Sequence, residues 1–136
     1  MREGKLFIDT GAWFALADKS DKYHKRAVQL YPDLLRDYQV LTTNLVISET
    51  YTLLHRTIGH QAAIRFLDNV AASPRIIKIY SDNILEETAI EILRHYKDQD
   101  FSYTDAVSFA AMKQYESTEA FAFDHHFVTA GFMLIP

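Results

Sequence analysis

The sequence predicts an α/β fold in which a central, mostly parallel sheet of four to five strands is flanked by helices. Short apolar runs alternate with segments of helical periodicity from end to end, which is the pattern of βα units. At 136 residues the chain has the size of one domain. Because no stretch is rich enough in Pro, Gly or Ser to form a linker, we expect a single domain over residues 1–136.

The expected strands and helices follow one another in order along the chain. The apolar runs place strands at 5–9, 39–42, 76–80, 120–123 and 132–135. Helical periodicity places helices at 11–17, 22–37, 44–58, 60–72, 82–97 and 103–116, with a short turn near 125–130. Ser81 is expected to cap the helix that follows it, and Gly59 to separate two consecutive helices.

Composition excludes several classes of protein. Eighteen acidic and fourteen basic residues give a formal charge of −4, which argues against nucleic-acid binding by a broad basic face. The chain has no cysteine, so disulfides and thiolate zinc sites are excluded. The N-terminus lacks the apolar segment of a signal peptide, and no run approaches the roughly 18 apolar residues of a membrane span. We therefore expect a soluble cytoplasmic protein without a membrane partner.

Two aspartates directly follow predicted strands. Asp9 comes after Leu6-Phe7-Ile8, and Asp124 comes after Ala120-Phe121-Ala122-Phe123. In open parallel sheets, ligands bind beyond the carboxyl ends of the strands, where both side chains are expected. Each aspartate also has the ordinary alternative of capping the helix that follows.

Two further acids lie on predicted helices. Glu49 has Val46 three residues before it and Leu53 four residues after it, so we expect its carboxylate on a stripe that faces the core. Asp105 shares a stripe with Phe109 in the same way, although near a helix start it also suits the helix dipole. A carboxylate next to apolar surface is costly unless a cation or hydrogen-bond donors offset its desolvation. The alternative to a shared cation is a separate, locally satisfied environment for each acid.

Four oxygen ligands without a Cys or His cluster favour Mg²⁺ or Mn²⁺ over zinc. The corresponding reaction is the metal-assisted hydrolysis of a phosphodiester. A phosphatase with an Asp nucleophile on the first strand is the competing enzyme class. Such sites commonly have a second acid two residues later, and Gly11 occupies that position here.

Several segments resemble the successive motifs of PIN-domain ribonucleases. They are Phe7-Ile8-Asp9-Thr10, Asn44-Leu45-Val46-Ile47-Ser48-Glu49, Ser102-Tyr103-Thr104-Asp105-Ala106 and Phe123-Asp124-His125-His126-Phe127, followed by Ala130-Gly131-Phe132. The resemblance covers nearly the whole chain, and compact members of this size are typically VapC-type toxins of toxin–antitoxin pairs. It implies a Mg²⁺- or Mn²⁺-dependent endoribonuclease with Asp9, Glu49, Asp105 and Asp124 as catalytic and metal-binding acids. It also implies an RNA substrate, a small antitoxin whose peptide covers the acidic pocket, and a homodimer.

Four neighbouring polar residues are weaker candidates for orienting substrate or ligands. Thr10, Ser48 and Thr104 carry hydroxyls next to three of the acids, where a helix cap is the alternative role. His125 stands where the family often has a basic residue, so it is a candidate phosphate contact, although His126 is next to it and both also suit a solvated turn.

Aromatic and basic residues near the acids have simpler interpretations. We interpret Trp13 and Phe14 as core or interface residues, with base stacking as the alternative. We interpret the basic residues as ordinary helix charges, with guidance of an RNA backbone as the alternative; they are Lys22, Lys25, Arg26, Arg56 and Lys113. The non-enzyme hypothesis is a PIN-like module that binds RNA or a protein without cutting, and the presence of all four acids argues against it.

Overall fold

A computed structural model describes residues 4–135. It contains a five-stranded sheet in which every neighbouring pair is parallel. The strands are β1 (Gly4–Ile8), β2 (Tyr38–Thr43), β3 (Ile76–Ile79), β4 (Glu119–Phe121) and β5 (Met133–Leu134), and they lie in the order β3-β2-β1-β4-β5. The predicted α/β fold with a central parallel sheet is therefore confirmed.

Seven helices connect the strands within the described residues. They are α1 (Thr10–Ala17), α2 (His24–Asp37), α3 (Asn44–Thr57), α4 (His60–Ala72), α5 (Asn83–His95), α6 (Tyr103–Gln114) and α7 (His126–Thr129). Gly59 separates α3 from α4 at a φ of 136°, a conformation that favours glycine. Asp82, and not Ser81, caps α5 by accepting a hydrogen bond from the Leu85 N–H, because the helix begins one residue later than expected. None of these helices is both long and apolar enough to cross a membrane.

The middle of the sheet forms the centre of the core. Leu6, Phe7 and Ile8 of β1 are fully buried, as are Val40 and Leu41 of β2. A parallel strand covered by helices on both faces is apolar on both faces, which explains the continuous apolar runs in the sequence.

The chain reverses its direction of travel across the sheet between β1 and β4. It proceeds outward from β1 through β2 to β3, then crosses back to β4 and continues outward to β5. The two strands that flank this switch point pair directly, and the Asp9 N–H donates to the Phe121 carbonyl oxygen at 3.1 Å. This pairing brings the carboxyl ends of β1 and β4, with Asp9 and Asp124 just beyond them, to the crevice where open α/β sheets bind ligands.

Candidate active site

Asp9 lies at the carboxyl end of β1 and is 7% exposed. It occupies the N-cap position of α1 with extended backbone, but its side chain makes no capping hydrogen bond. The pKa of this carboxyl is raised to about 7, chiefly because burial disfavours the ionised form. The Thr10 N–H acts in the opposite direction, while the negative charges of Asp105, Glu49 and Asp124 raise the pKa further. The four acids predicted from the sequence are therefore electrostatic neighbours.

Asp105 and Asp124 converge on one imidazole. Nδ1 of His126 lies 3.2 Å from Oδ2 of Asp105 and 3.2 Å from Oδ2 of Asp124. The contact with Asp105 has the geometry of a hydrogen bond in which Nδ1–H donates to the carboxylate. Potential ligand atoms of these three residues lie within 4.8 Å of one another, a spacing suitable for a shared metal ion. The start of α6, which carries Asp105, and the segment after β4, which carries Asp124, therefore meet at the switch point.

Each of these two aspartates also makes the local contact that the sequence allows. Asp105 forms a capping box at the start of α6, in which its N–H donates to Ser102 Oγ and its Oδ2 accepts from the Ser102 N–H. Oδ1 of Asp124 accepts from the His126 backbone N–H at 2.9 Å. The local contacts fix the orientation of both carboxylates, and both still face the same imidazole.

Glu49 differs from its prediction. Its residue position is exposed, so the expectation of a core-facing carboxylate is wrong. The core-facing stripe of α3 contains Val46, Thr50 and Leu54 instead, and Leu53 is only half-buried. The helix is thus rotated relative to the expected phase, which turns Glu49 toward an open cavity beside the other acids.

That cavity, which we call the polar cavity, has a volume of about 460 Å³. Its lining residues are Thr10, Leu45, Ser48, Glu49, Thr52, Leu53, Arg56 and Thr104. All three hydroxyl residues considered from the sequence therefore face the same space as Glu49. Thr10 is buried, and its Oγ1 has no hydrogen-bond partner among the described residues. A buried hydroxyl without a partner is uncommon in folded proteins.

The two adjacent histidines have different environments. The His125 side chain is 83% exposed, and its Nδ1 lies 3.8 Å from Asp124 Oδ1. The His126 side chain is 17% exposed and packs edge-on against Phe101 at a ring distance of 5.2 Å. The structure thus adds His126 to the site, whereas sequence reasoning singled out His125. The two residues look alike in the sequence, and only the packing of α7 against α6 distinguishes them.

A second cavity, also of about 460 Å³, lies between α1, α2 and α4. We call it the apolar groove, and its lining residues are Trp13, Leu16, Ala17, Val28, Tyr31, Pro32, Ala62, Arg65, Phe66, Asn69, Val70 and Ile76. Trp13 is buried there with edge-on contacts to Tyr31 and Phe66, and its Nε1–H donates to Thr42 Oγ1 at 3.3 Å. The interpretation of Trp13 as a core residue is confirmed.

A parallel sheet with carboxylates gathered at its switch point is an arrangement suited to metal-dependent phosphodiester chemistry. The family profile described as "PIN domain" matches residues 6–133. The chain belongs to the PIN-domain family. This membership confirms the resemblance carried by the four acidic motifs, and with it the prediction of a hydrolase of the nuclease type.

The chain is similar to proteins of the toxin class. It is 36% identical over 129 residues to the 23S rRNA-specific endonuclease VapC20 of Mycobacterium tuberculosis, covering 94% of this chain and 95% of the relative. The crystal structure of that protein is described as a sarcin-ricin loop cleaving toxin. It superposes on this chain with a TM-score of 0.87, and the match covers 94% of this chain and 96% of the neighbour. The predicted resemblance to VapC-type toxins is confirmed by this similarity.

More distant structures share the fold. FitAcB from Neisseria gonorrhoeae has a TM-score of 0.73 at 14% identity, with 96% of each chain covered. VapBC2 from Rickettsia felis, bound to a DNA fragment from its promoter, has a TM-score of 0.68 at 11% identity, with 96% of this chain and 97% of the neighbour covered. At these identities the similarity establishes the common architecture.

Proposed function

We propose that this chain is a Mg²⁺- or Mn²⁺-dependent endoribonuclease whose catalytic and metal-binding acids are Asp9, Glu49, Asp105 and Asp124. The observation that carries the proposal is the environment of Asp9. Its carboxyl is buried at the switch point, and its pKa is raised to about 7 by burial and then by the other three acids. Such a cluster of negative charge is unfavourable in isolation and favourable around a divalent cation.

The donor set fits a hard cation. Carboxylate oxygens are the ligands that Mg²⁺ and Mn²⁺ prefer, and a site on two or three carboxylates leaves room for water and substrate oxygens. Asp9, Asp105 and Asp124 would hold the ion at the switch point, with Glu49 at the edge of the polar cavity. A bound ion would polarise the scissile phosphodiester and lower the pKa of a nearby water.

The residues around the acids have roles that follow from their contacts. The ring of His126 orients the carboxylate of Asp105 through the hydrogen bond at Nδ1, and the His126 backbone N–H orients that of Asp124, as hydrogen-bond partners of metal ligands commonly do. Thr10, Ser48 and Thr104 line the polar cavity, where the hydroxyls of Ser48 and Thr104 would offer donors to phosphate oxygens. His125, exposed beside Asp124, is placed to contact the phosphate backbone of a docked RNA.

For the substrate, we propose a ribosomal RNA stem-loop of the sarcin–ricin type. The supporting observation is the 36% identity to a 23S rRNA-specific endonuclease over nearly the full length of both chains. An enzyme with this substrate acts in the cytoplasm, where ribosomes are found. Because such cleavage would stop translation, the chain would serve as the toxin of a type II toxin–antitoxin module.

A toxin of this kind requires partners. We propose a small antitoxin protein whose peptide covers the acidic pocket, and a homodimer of the toxin chain. Surface is available for protein contacts, since Tyr80 is 66% exposed and Ile84 is 72% exposed near the start of α5. Co-expression with the neighbouring open reading frame should relieve growth arrest, and light scattering of the purified chain should give twice the mass of one chain.

The test of the proposed function is cleavage of a synthetic sarcin–ricin stem-loop by the purified protein. Cleavage should require Mn²⁺ or Mg²⁺, disappear with EDTA and disappear in Asp9→Asn and Asp124→Asn, while circular dichroism shows a retained fold. Asp68→Asn is the matched control, since Asp68 is an exposed aspartate on α4 that lines neither cavity. Full activity in either site variant would remove that residue from the mechanism. Binding of the RNA without cleavage by the wild-type protein would instead favour a non-catalytic module.

A further inference from the structure

The polar cavity is built on one face of a single helix. Six of its lining residues lie on α3 at spacings of three and four, which places them on one stripe of an α-helix. They are Leu45, Ser48, Glu49, Thr52, Leu53 and Arg56. The opposite wall is formed by Thr10 at the start of α1 and Thr104 at the start of α6. The starts of α1 and α6, next to Asp9 and Asp105, thus lie across the cavity from α3.

The two ends of the stripe carry opposite charges. Glu49 lies beside the acids, and Arg56 lies two turns further along α3, a rise of about 10.5 Å. Arg56 is exposed and makes no hydrogen bond or ion pair with the described residues. It is also the single cation among the described residues that line this cavity. Its guanidinium is therefore available to an anion that extends away from the acidic end.

The chemistry between the two ends suits a sugar-phosphate chain. Ser48 and Thr52 contribute hydroxyl side chains from α3, and Thr104 contributes one from the start of α6. Hydroxyls both donate and accept, so they can pair with phosphate oxygens and with a ribose 2′-OH. Leu45 and Leu53 supply apolar surface in the same space. The volume of about 460 Å³ falls within the range of about 300–1,000 Å³ typical of ligand sites.

We propose that the polar cavity binds the nucleotide adjacent to the cleaved bond, and that Arg56 is the substrate-binding residue that holds its phosphate. The inference rests on the proposed ribonuclease function and adds a direction to it, since the RNA strand runs from the acids along α3. The planar guanidinium matches a phosphate with two parallel hydrogen bonds. This role replaces the interpretation of Arg56 as an ordinary helix charge.

The experiment compares Arg56→Gln with Arg65→Gln in cleavage of the labelled sarcin–ricin stem-loop. Arg65 is the matched control, because it is an arginine on α4 that lines the apolar groove. Arg56→Gln should raise KM about tenfold, as expected for a lost charge-assisted hydrogen bond, and leave kcat unchanged. Arg65→Gln should leave both constants unchanged. Thr52→Val should raise KM by a smaller factor, and Arg56→Lys should restore part of the loss.

Salt dependence gives a readout that a merely structural role would not change. The slope of log KM against log salt concentration should fall by about 0.7–0.9 in Arg56→Gln, which corresponds to one lost phosphate contact. Equal KM values and equal slopes for wild type, Arg56→Gln and Arg65→Gln would overturn the proposal. So would an Arg56→Gln variant that lowers kcat alone.

A binding measurement separates this inference from the proposed function. Fluorescence anisotropy with the same labelled stem-loop, in EDTA, measures the dissociation constant without cleavage. If the wild type binds and Arg56→Gln binds about tenfold more weakly, the cavity assignment stands even where cleavage fails. If the wild type cleaves and Arg56→Gln binds as tightly as wild type, the ribonuclease function stands and the role of Arg56 is overturned. Failure of the wild type to bind would overturn the cavity assignment, whereas the ribonuclease function is decided by the cleavage assay with metal.

Discussion

The polar cavity and the apolar groove have the same volume of about 460 Å³ and opposite chemistry. The groove is lined by side chains that also form the core, such as Trp13 and Phe66. Substitutions in its wall are therefore expected to lower the stability of the fold. The polar cavity is lined by hydroxyls and charges on helix starts and on one stripe of α3. Asp9 beside it and Thr10 in its wall are buried without full compensation. One region stabilises the protein, and the other is maintained at a cost in stability.

The largest effect on stability is expected in the apolar groove. Trp13→Ala should lower the free energy of unfolding by about 3–5 kcal/mol, because it removes a buried indole and its contacts with Tyr31 and Phe66. The rate of RNA cleavage per folded molecule should stay close to that of wild type. Urea denaturation followed by circular dichroism measures the first quantity. A large loss of kcat without a loss of stability would show that the apolar groove contributes to catalysis and not only to stability.

The opposite effect is expected for Asp9→Asn in metal-free buffer. The folded-state pKa of about 7 lies above the ordinary value of 3.8, so the folded protein binds this proton more tightly than the unfolded chain does. Stability of the wild type should therefore fall as the pH rises from about 4 to about 7. The variant, which mimics the protonated form, should be more stable than wild type at pH 8 by up to about 4 kcal/mol.

The same comparison at acidic pH supplies the control. At about pH 4 the folded Asp9 is protonated and the unfolded one about half protonated, so wild type and Asp9→Asn should have similar stability. Denaturation curves across this pH range measure the difference directly. A variant less stable than wild type at pH 8 would show that the Asp9 carboxylate stabilises the metal-free fold and that its burial carries no such cost.

Divalent metal should offset this cost. A cation that binds only the folded state stabilises it by about 2.7 kcal/mol at a concentration one hundred times its Kd. Mn²⁺ should therefore raise the Tm of wild type and of Asp68→Asn, and raise it much less in Asp124→Asn. Equal increases in all three proteins would place metal binding outside the proposed site.

The smallest effect is expected at Thr10. Replacement of its buried, unpaired hydroxyl in Thr10→Val should raise the free energy of unfolding by about 1 kcal/mol. RNA cleavage should decrease, because Thr10 lines the polar cavity next to Asp9. Thermal denaturation and cleavage rates of the same preparation measure both changes. A Thr10→Val variant with lower stability and unchanged cleavage would assign this hydroxyl to the fold instead of the site.

The sequence predicted the architecture well because local signals were strong. The helix expected at 60–72 is observed at His60–Ala72, since Gly59 provides a clear break before it. The strands expected at 5–9 and 39–42 are observed at Gly4–Ile8 and Tyr38–Thr43, as buried parallel strands have continuous apolar runs. Asp9 and Asp124 were found from their positions after such runs, because topology alone brings the ends of adjacent strands together.

The remaining details depend on packing that local periodicity does not specify. The phase of α3 could not be decided from Val46 and Leu53, since whether a stripe meets the core or a cavity depends on which element covers it. His126 was not distinguished from His125, because its contact with Asp105 joins residues 21 positions apart. The polar cavity requires three helices to face one another, and no single segment of the sequence encodes that arrangement.

The most direct test of a shared metal site is a crystal structure of the protein grown with Mn²⁺ and measured at the manganese absorption edge. We predict an anomalous peak at the switch point, within about 2.0–2.3 Å of carboxylate oxygens from Asp9 and from Asp105 or Asp124. A peak elsewhere, or carboxylates that remain apart with no peak between them at saturating Mn²⁺, would contradict the proposed metal-dependent mechanism.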